Sequence, residues 1–171
     1  MVVSDASPLI YLARTGWLHL LRLLFEEVQV PEEVKTECVD RGKEKGYVDA
    51  HVIEKALHDK LIVVHKLTNE NKEKAMNLAE AFGVDYGETQ AILLAQQKGE
   101  RQILLDETHA RKAARSLGIT PKGTIYVIIA AIKRGHISKT DGKGILDLIV
   151  EANFHISLKI YKKALKTIER L

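Results

Sequence analysis

The chain predicts an α/β fold of three layers, a three-layer α/β/α sandwich whose central, mainly parallel sheet lies between two layers of helices. Three observations carry this. Short apolar runs of strand length recur at Val2–Ser4, Val28–Val30, Leu61–Val64 and Gln102–Leu105. Stretches with helical periodicity separate them, and strands alternating with helices argue for parallel pairing through crossover connections. No internal repeat, low-complexity tract or Pro/Ser-rich linker divides the 171 residues. One domain spanning 1–171 is therefore expected, with 153–171 as its basic amphipathic closing helix.

The elements follow in order. Val2–Ser4 opens the sheet, and Ser7-Pro8 then reads as a helix start, with Ser at the N-cap and Pro at the first helical position. Gly16 interrupts that helical stretch before Trp17–Phe25. After the second strand, Pro31 opens a helix whose first turn holds Glu32 and Glu33, where they complement the helix dipole. Gly42 to Gly46 reads as a loop. Further helices are expected over Asp49–Asp59, Glu70–Phe82, Tyr86–Lys98, Thr108–Leu117, Thr124–Arg134 and Lys139–Glu151. A last one runs from Leu158 to Arg170. On it Leu158, Tyr161, Leu165 and Ile168 form one apolar stripe, expected to be sheltered, and Lys159, Lys162, Lys163, Lys166 and Arg170 are expected to be exposed.

Hydrophobic content of 46% and charged content of 29% are ordinary for a soluble protein. No apolar run approaches the ~18 residues of a membrane span, the stretch Thr124 to Ile132 included. Asp5 stands where a signal peptide would carry basic residues, so none is expected. The single Cys38 allows no internal disulfide, which fits the reducing cytoplasm, and it reads as a small buried hydrophobe. Charge is uneven: residues 1–100 hold 12 Lys/Arg against 17 Asp/Glu, whereas residues 101–171 hold 14 against 6. A basic half suits an anionic partner, although each lysine alone is explained by a solvated helix face.

Four carboxylates fall where this fold brings chain ends to one edge. Asp5 and Asp106 follow the first and fourth strands, and in open α/β sheets ligands bind outside the carboxyl ends of the strands. Glu37 lies two turns into the helix opened by Pro31, on the flank of its apolar stripe, with a salt bridge to Arg41 as the competing role. Glu88 shares a face with Ala91, Ile92 and Ala95 and points inward, or else closes a capping box with Asp85. Gly87 beside it leaves room for a close approach. Asp106 is either a site residue or the cap of the helix near Thr108. Converging carboxylates with no Cys or His set beside them suit a hard cation such as Mg²⁺ or Mn²⁺. Two of them ~4 Å apart repel by about 4 kcal/mol at an effective dielectric near 20, so an ion is needed to keep them ionised together. All four are expected in one pocket, and metal-assisted hydrolysis of a phosphodiester is the chemistry they favour.

Other chemistries lack their residues. There is no GxxxxGK[ST] or GxGxxG loop, no GxSxG elbow, and no HxH or HExxH spacing among the seven histidines.

The segments VVSDASPLIYLAR, VPEEVKTEC, GETQAILLA, LLDETHARKAARSLGI and KGTIYVIIAAIKRGHI together resemble the PIN-domain family of nucleases, which includes the VapC-like toxins of toxin–antitoxin pairs. The resemblance covers nearly the whole chain, and the closing NFHISLKIYKKAL is similar to the tail of one VapC-like PIN subfamily. It implies a catalytic quartet of Asp5, Glu37, Glu88 and Asp106, Glu88 standing where many relatives have Asp. Asp5, Glu88 and Asp106 would be the metal ligands for Mg²⁺ or Mn²⁺, and Glu37 a ligand or water-orienting base. Glu107 and Thr108 stand where a further acidic residue is usual. The resemblance also implies cleavage of single-stranded RNA leaving a 5′-phosphate and a 3′-hydroxyl, a cognate antitoxin and a homodimer as partners, and no membrane partner. Arg111 and Thr124 are candidate phosphate contacts, against simpler roles as a surface arginine and an N-cap. Two alternatives stay open. One is a non-catalytic PIN-like module binding protein or RNA, against which retention of all four acids counts. The other is a phosphoacceptor receiver domain, which lacks its mid-sheet aspartate because Leu61–His65 ends in His65-Lys66.

Overall fold

Five short strands form the sheet, one more than the sequence suggests. The computed structural model describes residues 1–171. It places β1 (Val2–Ser4), β2 (Val28–Pro31), β3 (Ile62–His65), β4 (Gln102–Leu104) and β5 (Thr120–Lys122) in the order β3-β2-β1-β4-β5, every pair parallel. Val3 lies opposite Gln29 on one side and Ile103 on the other. The fifth strand was missed because it contains Pro121 and has no apolar run. Proline is tolerated at the sheet edge, where its absent N–H faces away from the ladder. Leu105 N–H donates to Lys122 O at 2.6 Å and Thr120 N–H to Arg101 O at 2.9 Å, which ties the edge on.

The chain moves from β1 outward through β2 to β3, then crosses back over β1 to β4 and on to β5. Because crossovers are right-handed, that reversal sends the later helices to the opposite face. Accordingly α6 (Asn69–Phe82), α7 (Tyr86–Lys98) and α8 (Thr108–Ser116) pack together on one side. The other layer joins α1 (Ala6–Arg14), α2 (Leu20–Phe25) and α5 (Val48–His58) to α9 (Thr124–Lys133), α10 (Lys139–Glu151) and α11 (Leu158–Glu169). Three layers result, as expected. α7 lies across β1, β2 and β4, and every residue from Gly87 to Ala95 is buried. Its middle, Ala91–Ala95, is apolar on every side, which is what a central position requires.

Three local expectations need correction. The first helix begins at Ala6, so Asp5 and not Ser7 occupies its N-cap position. Helix resumes after Gly16 only at Leu20, because Gly16 takes a positive φ of 80° and Leu18-His19 form a turn. The segment after Pro31 does not end in a Gly42–Gly46 loop. It runs as α3 (Glu32–Lys35), a π-helical stretch (Thr36–Arg41) and α4 (Gly42–Glu44), turning only at Lys45-Gly46. Gly42 continues the helix because Ala50 packs against it; an added Cβ would lie 2.9 Å from Ala50 Cβ.

Cys38 is buried as expected, its Sγ 3.9 Å from Ala6 O, and burial pushes its thiol well up. The closing helix docks on α9 and α10 through Ile168 and Ala164, with Tyr161 and Leu165 half-buried. The expected shelter fails at Leu158, which is 65% exposed in the first turn of the helix. Ile168→Ala removes a fully enclosed side chain. It should lower unfolding free energy by about 2–5 kcal/mol, measured as a shifted urea midpoint at constant m-value. No helix is long and apolar enough to cross a membrane.

Candidate active site

The strand order reverses between β1 and β4, and the crevice of an open α/β sheet opens at such a switch point. Asp5 and Asp106 follow these two neighbouring strands. Asp5 N–H donates to Leu104 O at 2.9 Å, which locks the end of β1 onto β4. Its carboxylate is 2% exposed, makes no cap bond to α1, and its Oδ1 has no hydrogen-bond partner. Burial raises its pKa from 3.8 to about 7; Glu37 and Asp106 push the same way, against the backbone N–H groups of Ala6 and Ser7.

Asp106 is held from the far side of the crevice. Thr124 donates its backbone N–H to Oδ1 at 2.8 Å and its hydroxyl to Oδ2 at 2.6 Å. Burial still raises the Asp106 pKa, while the two Thr124 bonds and Arg111 oppose the rise. Two expectations change here. Asp106 does not cap α8, because Glu107 does, accepting from Ala110 N–H at 2.8 Å. Thr124 is neither an N-cap, a position that Gly123 takes, nor a free phosphate donor, since both its donors serve Asp106. It is a positioning residue.

Glu88 fills both of its expected roles. Its Oε2 accepts from Asp85 N–H at 3.2 Å at the start of α7, yet the residue is 9% exposed. Burial raises its pKa from 4.5 to about 8, with the charge of Asp5 next in effect. Glu37 sits in the π-helical turn, its Oε2 at 3.4 Å from where a Cβ on Gly87 would stand. Its pKa is raised by burial and then by Asp85, with Arg41 opposing. The expected salt bridge to Arg41 does not form; Arg41 Nη2 pairs with Glu33 Oε1 at 2.9 Å. The extra residue of a π turn rotates Glu37 away from the α-helical (i, i+4) position that the pairing assumed.

Asp5 thus feels the other three members of the quartet. No group of three or more acidic, His or Cys side chains is drawn tightly enough to hold an ion as it stands. The donor set nevertheless fits a hard divalent cation: all ligand atoms are carboxylate oxygens, their charges oppose one another, and one buried oxygen lacks any partner. Asp5, Glu88 and Asp106 are the residues that would hold it.

Clefts lie on both sides. One, about 520 Å³, runs past Glu37, Glu33, Arg41, Lys45 and Asp85. The other, about 720 Å³, runs from Asp106 past Arg111, Lys122 and Tyr126 to His155 and Ile160. Arg111 anchors the end of β4 by donating from Nη1 to Leu105 O at 2.7 Å, and Lys122 sits 4.7 Å over the Tyr126 ring.

The family model of a PIN domain matches residues 1–170. The chain belongs to the PIN-domain family. No curated protein matches it. PIN domains are generally nucleases that use divalent metal ions. Sequence reasoning missed two parts of the site, Gly123 and the Thr124–Asp106 pair. A Gly-Thr helix start was visible, but its partner lies 18 residues earlier and only the parallel pairing of β4 with β5 joins them.

Proposed function

We propose that this PIN domain is a Mg²⁺- or Mn²⁺-dependent endoribonuclease that hydrolyses phosphodiester bonds in single-stranded RNA. The observation that carries it is the buried, partnerless Oδ1 of Asp5 facing the mutual repulsion of Glu37, Glu88 and Asp106. Asp5, Glu88 and Asp106 would hold the ion, whose charge would let them ionise together and would supply Lewis-acid stabilisation to a phosphoryl group. Thr124 orients Asp106 for that task. Glu37, exposed to solvent at the rim of the site and with a raised proton affinity, accepts the proton of the attacking water. Arg111 and Lys122 line the cleft beyond Asp106 and bind the substrate's phosphates. Glu107 stays a cap.

The likeness of the closing NFHISLKIYKKAL segment to a VapC-like subfamily supports a role as the toxin of a toxin–antitoxin pair in the cytoplasm, with a cognate antitoxin and a homodimer as partners. Defined single-stranded RNAs incubated with Mn²⁺ or with a chelator test the activity. Cleavage is expected only with the metal and not with Asp5→Asn. Equal cleavage by wild type and variant, or none with any divalent ion, would remove the nuclease reading and leave a binding module.

A further inference from the structure

Lys159, Lys162, Lys163, Lys166 and Arg170 recur on α11 at spacings of three, one, three and four. At ~100° per residue they fall within an arc of about 100°, opposite the face through which Ala164 and Ile168 dock. The five side chains are exposed and border a shallow groove of about 360 Å³ with Thr167. None is in an ion pair. The acids nearby are engaged elsewhere: Glu169 pairs with Lys143 at 3.0 Å and Asp147 accepts from the Tyr161 hydroxyl. Like charges at i,i+3 and i,i+4 repel, so the stripe costs the free helix stability that a polyanion would restore. A solvated face would scatter opposite charges among the lysines; this one has none.

Position supplies the second argument. The start of α11 reaches the active-site cleft, for Ser157 and Ile160 line it together with Asp106, Arg111 and Lys122. A strand leaving the cleft at that end therefore meets Lys159 first, and Arg170 about 16 Å further along the helix axis.

We propose that the basic face of α11 is a track for the phosphate backbone of single-stranded RNA outside the catalytic cleft, so that the enzyme grips a longer stretch than it cuts. The inference rests on RNA as the substrate of the proposed nuclease. It names an exosite whose recognition is of backbone charge, not base identity.

Binding to a labelled 20-nucleotide RNA, followed by anisotropy over a range of salt in chelator so that nothing is cut, tests it. The triple variant Lys162→Gln, Lys163→Gln, Lys166→Gln should reduce the slope of log K against log salt by about 2, since each phosphate contact on a single strand contributes ~0.7. A charge-matched control, Lys55→Gln, Lys60→Gln, Lys74→Gln, should keep the wild-type slope. The same slope in the triple variant as in wild type, or equal losses in both variants, would overturn the track, as would absence of RNA binding by wild type. Cleavage is scored separately with Mn²⁺. Loss of slope without any cleavage supports the track and sinks the nuclease reading, whereas cleavage with an unchanged slope overturns the track alone.

Discussion

Asp5→Asn is expected to stabilise the metal-free protein at pH 9 while reducing metal-dependent cleavage by roughly 10³-fold, the value of several kcal/mol of transition-state charge stabilisation. Asp5 and Glu88 have folded-state pKa values of about 7 and about 8, both raised above their ordinary 3.8 and 4.5. The folded protein therefore holds more protons than the unfolded chain across that interval, and its stability falls as pH rises. The stabilising contribution is fully present below about pH 4 and is lost as pH passes through 7 to 8. For Asp5 the rise to about 7 corresponds to about 4 kcal/mol. An amide in its place brings N–H donors of its own into a buried position, at a cost of about 1–3 kcal/mol where they find no acceptor, so a net gain of about 1–3 kcal/mol at pH 9 is expected. Near pH 4 the order should reverse, because the wild-type carboxyl is then neutral in the folded state and close to its ordinary pKa of 3.8 in the unfolded one, so little of its cost remains. Urea unfolding at both pH values in chelator checks this, and parallel pH profiles for the two proteins would contradict it. Saturating Mn²⁺ should flatten the wild-type profile by binding the ionised site.

The parts of this design that are local in sequence could be read from it. β1 and β4 announce themselves by apolar runs, and the carboxylates after them follow from where an α/β sheet presents its ligands. Glu88 was legible because a capping residue and an inward face coincide at the first turn of α7. What depended on non-local or irregular geometry was not. The switch point between β1 and β4 is set by strand order, which periodicity does not encode. Pro121 hid an edge strand, since proline argues against any central one. The π turn around Glu37 shifts side chains out of the 100° progression on which the Arg41 pairing relied. The Thr124–Asp106 pair spans the whole β4–α8–β5 crossover and leaves no spacing rule to find.

Gly123→Ala should damage the site through contact, not through the backbone. Gly123 has φ −134° and ψ −176°, an extended conformation open to any residue. Its hydrogen is nonetheless all that fits, because a Cβ there would collide with Asp106 Oδ1 and lie 3.3 Å from Arg111 Nη1. Neither neighbour is free to yield. Asp106 is pinned by the Thr124 N–H and hydroxyl at 2.8 and 2.6 Å, and Arg111 by Leu105 O at 2.7 Å. The carboxylate must rotate, and the bond from Thr124 N–H to Oδ1 is the first to break. Overpacking of this kind costs about 1–3 kcal/mol of stability. Loss of ligand orientation should weaken divalent-metal affinity by roughly 10–100-fold. Thr124→Ser keeps both donors and should retain the wild-type response. Melting curves across a Mn²⁺ titration separate the two variants. If Gly123→Ala showed the same metal-induced rise in melting temperature as wild type, Asp106 could not be a ligand, because no carboxylate displaced from its two donors would still present the same oxygen to the ion.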